Sequence, residues 1–288
     1  MPRITRIDAP GAFHHIIARG IEQRKIFIDD IDRNNFLDRL GKVLSETDTK
    51  CFAWALVPNH FHLLLRTGDC PISTVMRRLL TGHAIRFNRR HDRSGRLFQN
   101  RYKSILCQEN TYLFELVRYL HLNPIRARQV EDIAALDVYP FCGHSVIMGK
   151  MERAWQDDAY ILSLFHKNIA TARRRYKTFV LKGIQKGRRL EFTGGGLIRS
   201  NVGWSMIRSF RRATMHLKSD ERVLGDSEFV ERVLTAADES LEKKYHLKSK
   251  GFDTKKLADR VAEIFVIDPK EIFQPGKQSM KVKARSLF

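Results

Sequence analysis

Long apolar runs, paired cysteines and acidic side chains are all scarce in this sequence, and each scarcity excludes a class of protein. No apolar run is long enough to cross a bilayer, and the N-terminus lacks the apolar core of a signal peptide, so we expect no membrane contact and a cytoplasmic location. The four cysteines are scattered without a Cys-x-x-Cys pair, which predicts reduced core thiols instead of a zinc site or a disulfide framework.

Acidic residues are outnumbered by basic ones, 32 to 52, which gives a formal net charge of +20. Such an excess favours a polyanionic partner, of which nucleic acid is the most common, while a basic ribosome-associated protein is the alternative. A phosphate-binding loop is also missing, because Gly194-Gly195-Gly196 is not followed by Gly-Lys-Ser. We therefore expect no nucleotide cofactor.

Positive charge is concentrated between Arg77 and Lys103, where nine Lys or Arg residues accompany one acid, Asp92. Phe87, Phe98 and Tyr102 lie among them, and cations interleaved with aromatic rings are typical of single-strand nucleic-acid binding. A solvated basic face is the alternative interpretation. The candidate DNA-binding residues, three of them near the C-terminus, are Arg77, Arg78, Arg86, Arg89, Arg90, Arg96, Arg101, Lys103, Lys281, Lys283 and Arg285.

The most informative stretch is His60-Phe61-His62, which three leucines follow. The preceding run, Cys51 to Val57, is apolar and bulky as in a buried strand, and Pro58-Asn59 predicts a turn into a second strand. On a strand, the period of two places His60 and His62 on the same face. Two imidazoles on one face can chelate a divalent metal, although two hydrogen-bonded structural histidines would give the same pattern.

A second stretch, Asn110 to Arg128, has the apolar spacing of a helix, which Pro124 should kink. Tyr119 lies on this helix with Glu115 one turn before it and Asn123 one turn after it. A tyrosine and an amide on one helix face can point at the histidine pair together. A half-buried structural tyrosine is the alternative.

The order of predicted elements in the first half of the chain is β-α-β-β-α-β-α. It predicts an α+β fold with a ferredoxin-like antiparallel sheet and packed helices, followed by a mostly α-helical C-terminal region. On the first strand we interpret His14 and His15 as sheet-surface residues, although one could lie near DNA, and on the second helix we place Ile85 and Phe87 in the core. The predicted bounds are 11–19, 31–45, 51–57, 60–67, 72–91, 101–107 and 110–128.

These motifs resemble a known family. His60-Phe61-His62 resembles the histidine–hydrophobe–histidine signature of the HUH single-strand nucleases, and Tyr119 to Ala127 resembles the nucleophile helix of one-tyrosine transposases of the IS200/IS605 type. The similarity is greatest to the transposase-like proteins associated with repetitive extragenic palindromes (REP), and it implies the same ferredoxin-like fold. Further blocks that resemble this family are Arg77 to Ala84, Gly95 to Ser104 and a surface strap, Tyr139 to Ser145.

The resemblance implies that Tyr119 attacks a DNA phosphorus and leaves a 5′-phosphotyrosine and a free 3′-hydroxyl. It also implies a metal site of His60, His62 and a third polar ligand, for which Asn123 is the candidate and Glu115 a fallback ligand or proton acceptor. Imidazole and oxygen ligands suit Mg²⁺ or Mn²⁺. The expected partner is single-stranded or hairpin DNA, and a homodimer is left open because the tyrosine can act in its own subunit or in a partner.

The C-terminal residues predict a separate helical module. A helix capped by Asp253 or Thr254, a short helix opened by Asp268-Pro269, a break at Pro275-Gly276 and a basic third helix from Met280 to Phe288 follow the order of a helix-turn-helix. The segment resembles the DNA-binding region of bacterial replication initiators of the DnaA kind. A helical packing module is the alternative.

We therefore divide the chain into an HUH domain at 1–149, a basic helical accessory region at 150–250 and a helix-turn-helix-like module at 251–288. The leading hypothesis is a metal-dependent single-strand DNA endonuclease and strand transferase of the bacterial nucleoid. The alternative is a sequence-specific DNA-binding protein with an inactive nuclease domain. Positive charge alone suggests a third class, the RNA-binding proteins.

Overall fold

The computed structural model of this chain describes residues 7–8, 11–68, 70–186, 220, 222–249, 254–273, 280 and 283–284. They belong to two compact units, Met1–Arg232 and Val233–Phe288, so the first unit runs well past residue 149, where the sequence analysis ended the first domain. None of the described helices has the length and apolarity needed to cross a membrane.

The strands are β1 (Phe13–Arg19), β2 (Lys50–Val57), β3 (His60–Arg66), β4 (Lys103–Cys107) and β5 (Val223–Leu224). The helices are α1 (Asp30–Glu46), α2 (Ile72–Arg90), α3 (Glu109–His121), α4 (Asn123–Arg126), α5 (Ile133–Val138), α6 (Gly143–Ile147), α7 (Asp158–Ser163), α8 (Ile169–Leu181), α9 (Ser227–Ser249), α10 (Thr254–Phe265) and α11 (Pro269–Phe273). The Gly194-Gly195-Gly196 stretch lies outside the described residues.

The five strands form one sheet in the order β2-β3-β1-β4-β5. β1 pairs antiparallel with both β3 and β4, and β2 pairs antiparallel with β3, which is the ferredoxin-like arrangement predicted from the sequence. The sheet is nevertheless mixed, because β5 adds to β4 in parallel. β5 is only two residues long, too short to show the alternating pattern of a strand, so it was not predicted from the sequence.

The sheet separates two hydrophobic cores. Helices α1 and α2 pack on one face, where their apolar stripes meet alternate residues of the strands. Helices α3, α7 and α8 pack on the other face, where Leu116, Leu120 and Tyr176 are fully or almost fully buried. The helix that carries Tyr119 therefore shares its layer with α8, which lies beyond the expected first domain.

The free edge of β2 is covered by the segment after α5. The amide of Leu56 donates to the carbonyl of Phe141 at 3.0 Å, and Ala55 forms an antiparallel bridge with Cys142. An uncovered edge strand would present unpaired backbone groups to other chains, so this segment acts as the strap that the family resemblance implied.

The predicted helix at 110–128 is divided in two. α3 ends at His121 and α4 begins at Asn123, with Pro124 in its first turn. Proline has no amide hydrogen for the helix ladder, and its ring clashes with the preceding turn. The interruption therefore falls where Pro124 predicts it.

Several burial predictions were wrong. The side chain of Ile85 is 64% exposed, not in the core. Phe87 is buried as predicted for the second helix, and Tyr102 is buried too, so these two rings are not available to stack on bases. Cys70 is only half-buried, unlike the other three cysteines, which are buried free thiols. The local charge pattern did not predict these exposures, because the burial of a side chain depends on which face of its helix or strand packs into the core.

The second unit contains a small core in which α10 and α11 pack together. Ala258, Val261 and Ile272 are buried there beside Ala284, and Met280, Lys283 and Ala284 are helical. This matches the predicted sequence of helix, short helix and third helical segment. Lys281, Arg285 and the Pro275-Gly276 break lie outside the described residues, so the DNA-binding role of this unit stays a prediction.

Candidate functional site

The two histidines of the β3 motif lie side by side on the α3 face of the sheet. Their ring centroids are 5.1 Å apart. His62 is only 2% exposed, while His60 at the strand end is half-buried. The same-face spacing predicted for a strand is therefore confirmed, and His60 is the member of the pair nearer to solvent.

Helix α3 places Tyr119 directly against this pair. The Tyr119 ring meets His62 edge to face, with centroids 5.8 Å apart and planes at 88°. The ring of His15 approaches Tyr119 from the neighbouring strand, with centroids 6.2 Å apart. Tyr119 is 5% exposed, so packing against the histidines fixes its orientation.

Arg126 of α4 lies over the ring of the same tyrosine. Its guanidinium carbon is 5.0 Å from the centre of the Tyr119 ring, within the range of a cation–π contact. Its Nη1 donates to the Tyr119 carbonyl at 3.0 Å, which anchors the cation to the helix end. The sequence analysis did not select Arg126, although its position seven residues after the tyrosine, two helical turns on, was a usable signal.

Asn123 caps the end of the tyrosine helix. Its Nδ2 donates to the carbonyls of Tyr119 at 3.0 Å and Leu120 at 3.1 Å. Because the amide is planar, these bonds direct Oδ1 away from the helix end. Glu115, the fallback ligand, forms an ion pair with Arg118, which satisfies its carboxylate in another way.

Burial at β1 was the main error of the sequence analysis. His14 and His15 are both fully buried, not on the sheet surface. His14 contacts the Ser104 hydroxyl on the α1–α2 side, with Nδ1 and Oγ 3.1 Å apart. His15 faces the opposite way, and its Nε2 is 3.0 Å from Nδ1 of His62. The alternation of His15 and Ile17 with His14 and Ile16 contained this signal, but only the register with β3 makes it a contact.

Burial lowers the pKa of His62 well below its usual 6.5, and the neighbouring charges of His15, His60, Arg19 and Arg126 lower it further. His62 is therefore a neutral imidazole at neutral pH. The neutral ring is the form that binds a metal ion. The described residues contain no cluster of three His, Cys, Asp or Glu side chains suited to a metal.

The predicted DNA-binding arginines of α2 lie on the other side of the sheet from Tyr119. Arg90 bonds to both Asp29 and Asp32, and Arg78 pairs with Glu46. These two cations are therefore engaged within the fold. The candidates with exposed side chains outside those two ion pairs are Arg77, Arg86, Arg89, Arg96, Arg101, Lys103 and Lys283.

Comparison with protein families identifies the domain that carries this site. Residues 11–123 match the family model described as "Transposase IS200 like", and this range includes His60, His62, Tyr119 and Asn123. Residues 11–123 are therefore similar to the IS200-like transposases. The match excludes α7 and α8, although both pack into the same compact unit as the matched residues.

Two solved structures are similar to the chain at low identity. One is a REP-associated tyrosine transposase bound to a REP hairpin, with 15% identity and a TM-score of 0.43, covering 55% of this chain and 98% of that one. The other, from Deinococcus radiodurans, is assigned as a transposase, with 18% identity and a TM-score of 0.30, covering 40% of this chain and 92% of that one. The chain has no significant match among curated proteins.

Proposed function

We propose that the chain is a metal-dependent single-strand DNA endonuclease and strand transferase with Tyr119 as its nucleophile. The observation that carries this proposal is the edge-to-face contact between Tyr119 and His62 beside His60, within the residues that match the IS200-like transposases. Tyr119 and His62, which are 57 positions apart in the sequence, meet here because α3 crosses the β3 face. A tyrosine against two imidazoles, of which the buried His62 is neutral, is a suitable arrangement for attack on a phosphate diester.

The side chains fit a divalent ion of the Mg²⁺ or Mn²⁺ type. The imidazoles of His60 and His62 are the proposed ligands, with Asn123 Oδ1 as the third. The hydrogen bonds of the two histidines to Asn59 and His15 use Nδ1, so Nε2 is the nitrogen of each ring that we propose as the ligand atom. When bound, the ion would polarise a non-bridging oxygen of the scissile phosphate.

The chain's own residues supply the rest of the reaction. The Tyr119 oxygen loses its proton and bonds to phosphorus, the bond from phosphorus to the 3′-oxygen breaks, and that oxygen takes up a proton. Arg126 over the ring stabilises the negative charge of the phenolate. Because the phosphotyrosine conserves the diester's bond energy, attack by a 3′-hydroxyl on it rejoins DNA without ATP.

The proposed substrate is single-stranded DNA beside a hairpin. The net charge of +20 and the exposed arginines favour a polyanion. A similar solved structure is of a REP-associated tyrosine transposase bound to a REP hairpin, and we extend that substrate class to this chain as part of the proposal.

The function is tested with a library of stem-loop oligonucleotides whose single-stranded flanks are randomised. The protein is incubated with the library and Mn²⁺, and products are resolved on a denaturing gel. We expect a protein–DNA adduct that protease digestion reduces to a phosphotyrosine peptide. Binding of the library without any adduct would instead support the inactive DNA-binding protein.

A second proposal within this function gives residues 251–288 a role in hairpin recognition. Their apolar core of α10 and α11, together with the basic side chains around it, is suited to a DNA-binding module. Deleting residues 251–288 should weaken hairpin binding and reduce its salt dependence, while adduct formation on a short single strand survives. Equal hairpin affinity at equal salt would make the module structural.

A further inference from the structure

A third histidine lies behind the histidine pair of the site. His15 is on β1 opposite Leu64, and His62 pairs with Ile17, so the two histidines are diagonal neighbours on the same sheet face. His15 is fully buried and its Nε2 is 3.0 Å from His62 Nδ1. The ring centroids are 5.2 Å apart and the ring planes differ by 23°, a geometry that is compatible with an N–H···N hydrogen bond between the two rings.

Such a bond has two arrangements, because each neutral imidazole has one N–H and one lone pair. If His62 donates from Nδ1, its Nε2 bears the lone pair and can bind a metal. If His15 donates from Nε2, the proton of His62 is on its own Nε2, which cannot then bind. The direction of the His15–His62 hydrogen bond therefore decides whether Nε2 of His62 can bind a metal.

The neighbouring histidine shows which arrangement the site needs. The Nδ1 of His60 is 2.7 Å from Asn59 Oδ1, while Asn59 Nδ2 donates to the Gln23 carbonyl at 3.2 Å. This second bond fixes the orientation of the amide, so the atom facing His60 is an oxygen, which only accepts. His60 therefore has its proton on Nδ1 and its lone pair on Nε2.

We propose that His15 is a positioning residue that accepts the Nδ1 proton of His62 and so presents the lone pair of His62 Nε2 to the metal. Asn59 and His15 then act in parallel, each fixing one imidazole of the pair in the same tautomer. A hydrogen-bonded outer partner of this kind raises ligand basicity and fixes ring orientation. The inference rests on the proposed metal site, but its first test does not need a metal.

The first measurement is the ring ¹⁵N spectrum of the metal-free, histidine-labelled protein, with His62 assigned by a His62→Ala variant. We expect His62 to be protonated on Nδ1. A His62 protonated on Nε2 would overturn the proposal, whether or not any variant folds. This outcome is independent of whether the protein cleaves DNA.

The second measurement is Mn²⁺ binding by calorimetry in three variants. His15→Phe keeps a ring but loses the acceptor, so it should weaken binding by about 10- to 100-fold. His15→Gln can place an oxygen near the lost Nε2 and should restore most of the affinity. His14→Phe is the matched control, because it replaces a buried β1 histidine on the opposite face and should leave binding unchanged.

The outcomes separate this inference from the proposed function. Wild-type affinity in His15→Phe, or equal losses in His15→Phe and His14→Phe, would show that His15 does not position the ligand. Failure of the wild type itself to bind Mn²⁺ would remove the metal site, and the ¹⁵N spectrum would still decide which ring donates.

Discussion

Two clusters of histidine and tyrosine lie on the same side of the sheet, and α3 contributes to both. Tyr119 belongs to the candidate site with His15, His60 and His62. His121, two residues later on the helix, points instead into a closed cluster: its Nδ1 is 2.7 Å from the Tyr176 hydroxyl. The same residue types therefore occupy two different environments separated by the width of one helix.

The donor and the acceptor of each hydrogen bond in the closed cluster follow from its last member, Asp137. Asp137 accepts from His144 Nε2 at 2.9 Å and is also paired with Lys177. His144 Nδ1 therefore accepts from the Tyr176 hydroxyl at 2.8 Å, and that oxygen accepts in turn from His121. Tyr176 and both histidines are fully buried, so the cluster joins α8 to α3 without access for a substrate.

The two clusters differ in how hydrogen bonds to neighbouring side chains use the ring nitrogens of their histidines. In the closed cluster the hydrogen bonds run through three side chains to the partly buried ion pair of Asp137 and Lys177. At the candidate site, the bonds to Asn59 and His15 use Nδ1 of the two motif histidines, and His60 is half-buried. We infer that the closed cluster stabilises the fold, whereas the site cluster is where we propose that a ligand binds.

The largest expected effect that separates the clusters is on metal binding. The double substitution His60→Ala, His62→Ala should abolish Mn²⁺ binding and adduct formation, since it removes both imidazole ligands. Tyr176→Phe should leave both measurements unchanged. Calorimetry and the denaturing gel check this pair, and equal Mn²⁺ binding by wild type and the double variant would contradict the account.

The next effect is on the free energy of unfolding, which should fall when the closed cluster is changed. Tyr176→Phe removes one hydroxyl and leaves the Nδ1 atoms of His121 and His144 facing each other without it. Because each unsatisfied buried polar group costs about 1–3 kcal/mol, the free energy of unfolding should fall by about 2–4 kcal/mol. Urea unfolding measures this, with Tyr112→Phe as the control for loss of a hydroxyl on a half-buried ring. An unchanged midpoint in Tyr176→Phe would remove the structural role.

Acid should destabilise the fold mainly through histidines outside the site. Burial lowers the pKa of His121, His144 and His83, the last to about 4 from 6.5. The unfolded chain takes up these protons first, so stability is fully present above pH 6.5 and is lost as the pH falls below it. For His83 alone the loss between pH 6.5 and 4 is roughly 3 kcal/mol.

Unfolding midpoints at pH 7.5, 6 and 5 measure this effect in the wild type and in His62→Ala. Most of the acid sensitivity should persist in His62→Ala, because the three histidines named above lie elsewhere. If the variant became insensitive to pH, the site cluster would be the main acid-labile element and the comparison would fail.

The sequence predicted the elements whose signals are local. The His60–His62 spacing required only a strand, the offsets of Tyr119 from Asn123 required only a helix, and Pro124 ended that helix where expected. The contact between Tyr119 and His62 then followed from the ferredoxin-like order of elements. These predictions depend on periodicities that the backbone imposes on neighbouring residues.

What the sequence missed depends on pairing between distant segments. His15 meets His62 only through the register of β1 with β3, and His121 meets Tyr176 across 55 positions. The α2 arginines were grouped with the site by their charge, although the sheet separates them from Tyr119. No local pattern distinguishes the two faces of a sheet whose strands are apolar on both sides.

The central claim is that Tyr119 is the nucleophile, and a conservative variant tests it most directly. Tyr119→Phe removes the hydroxyl and keeps the ring that packs on His62, and Tyr112→Phe on the same helix is the matched control. With the stem-loop library and Mn²⁺, the account predicts no covalent adduct in Tyr119→Phe, full adduct in Tyr112→Phe and equal library affinity in both. An adduct that persists in Tyr119→Phe, mapped by mass spectrometry to another residue, would contradict the assignment.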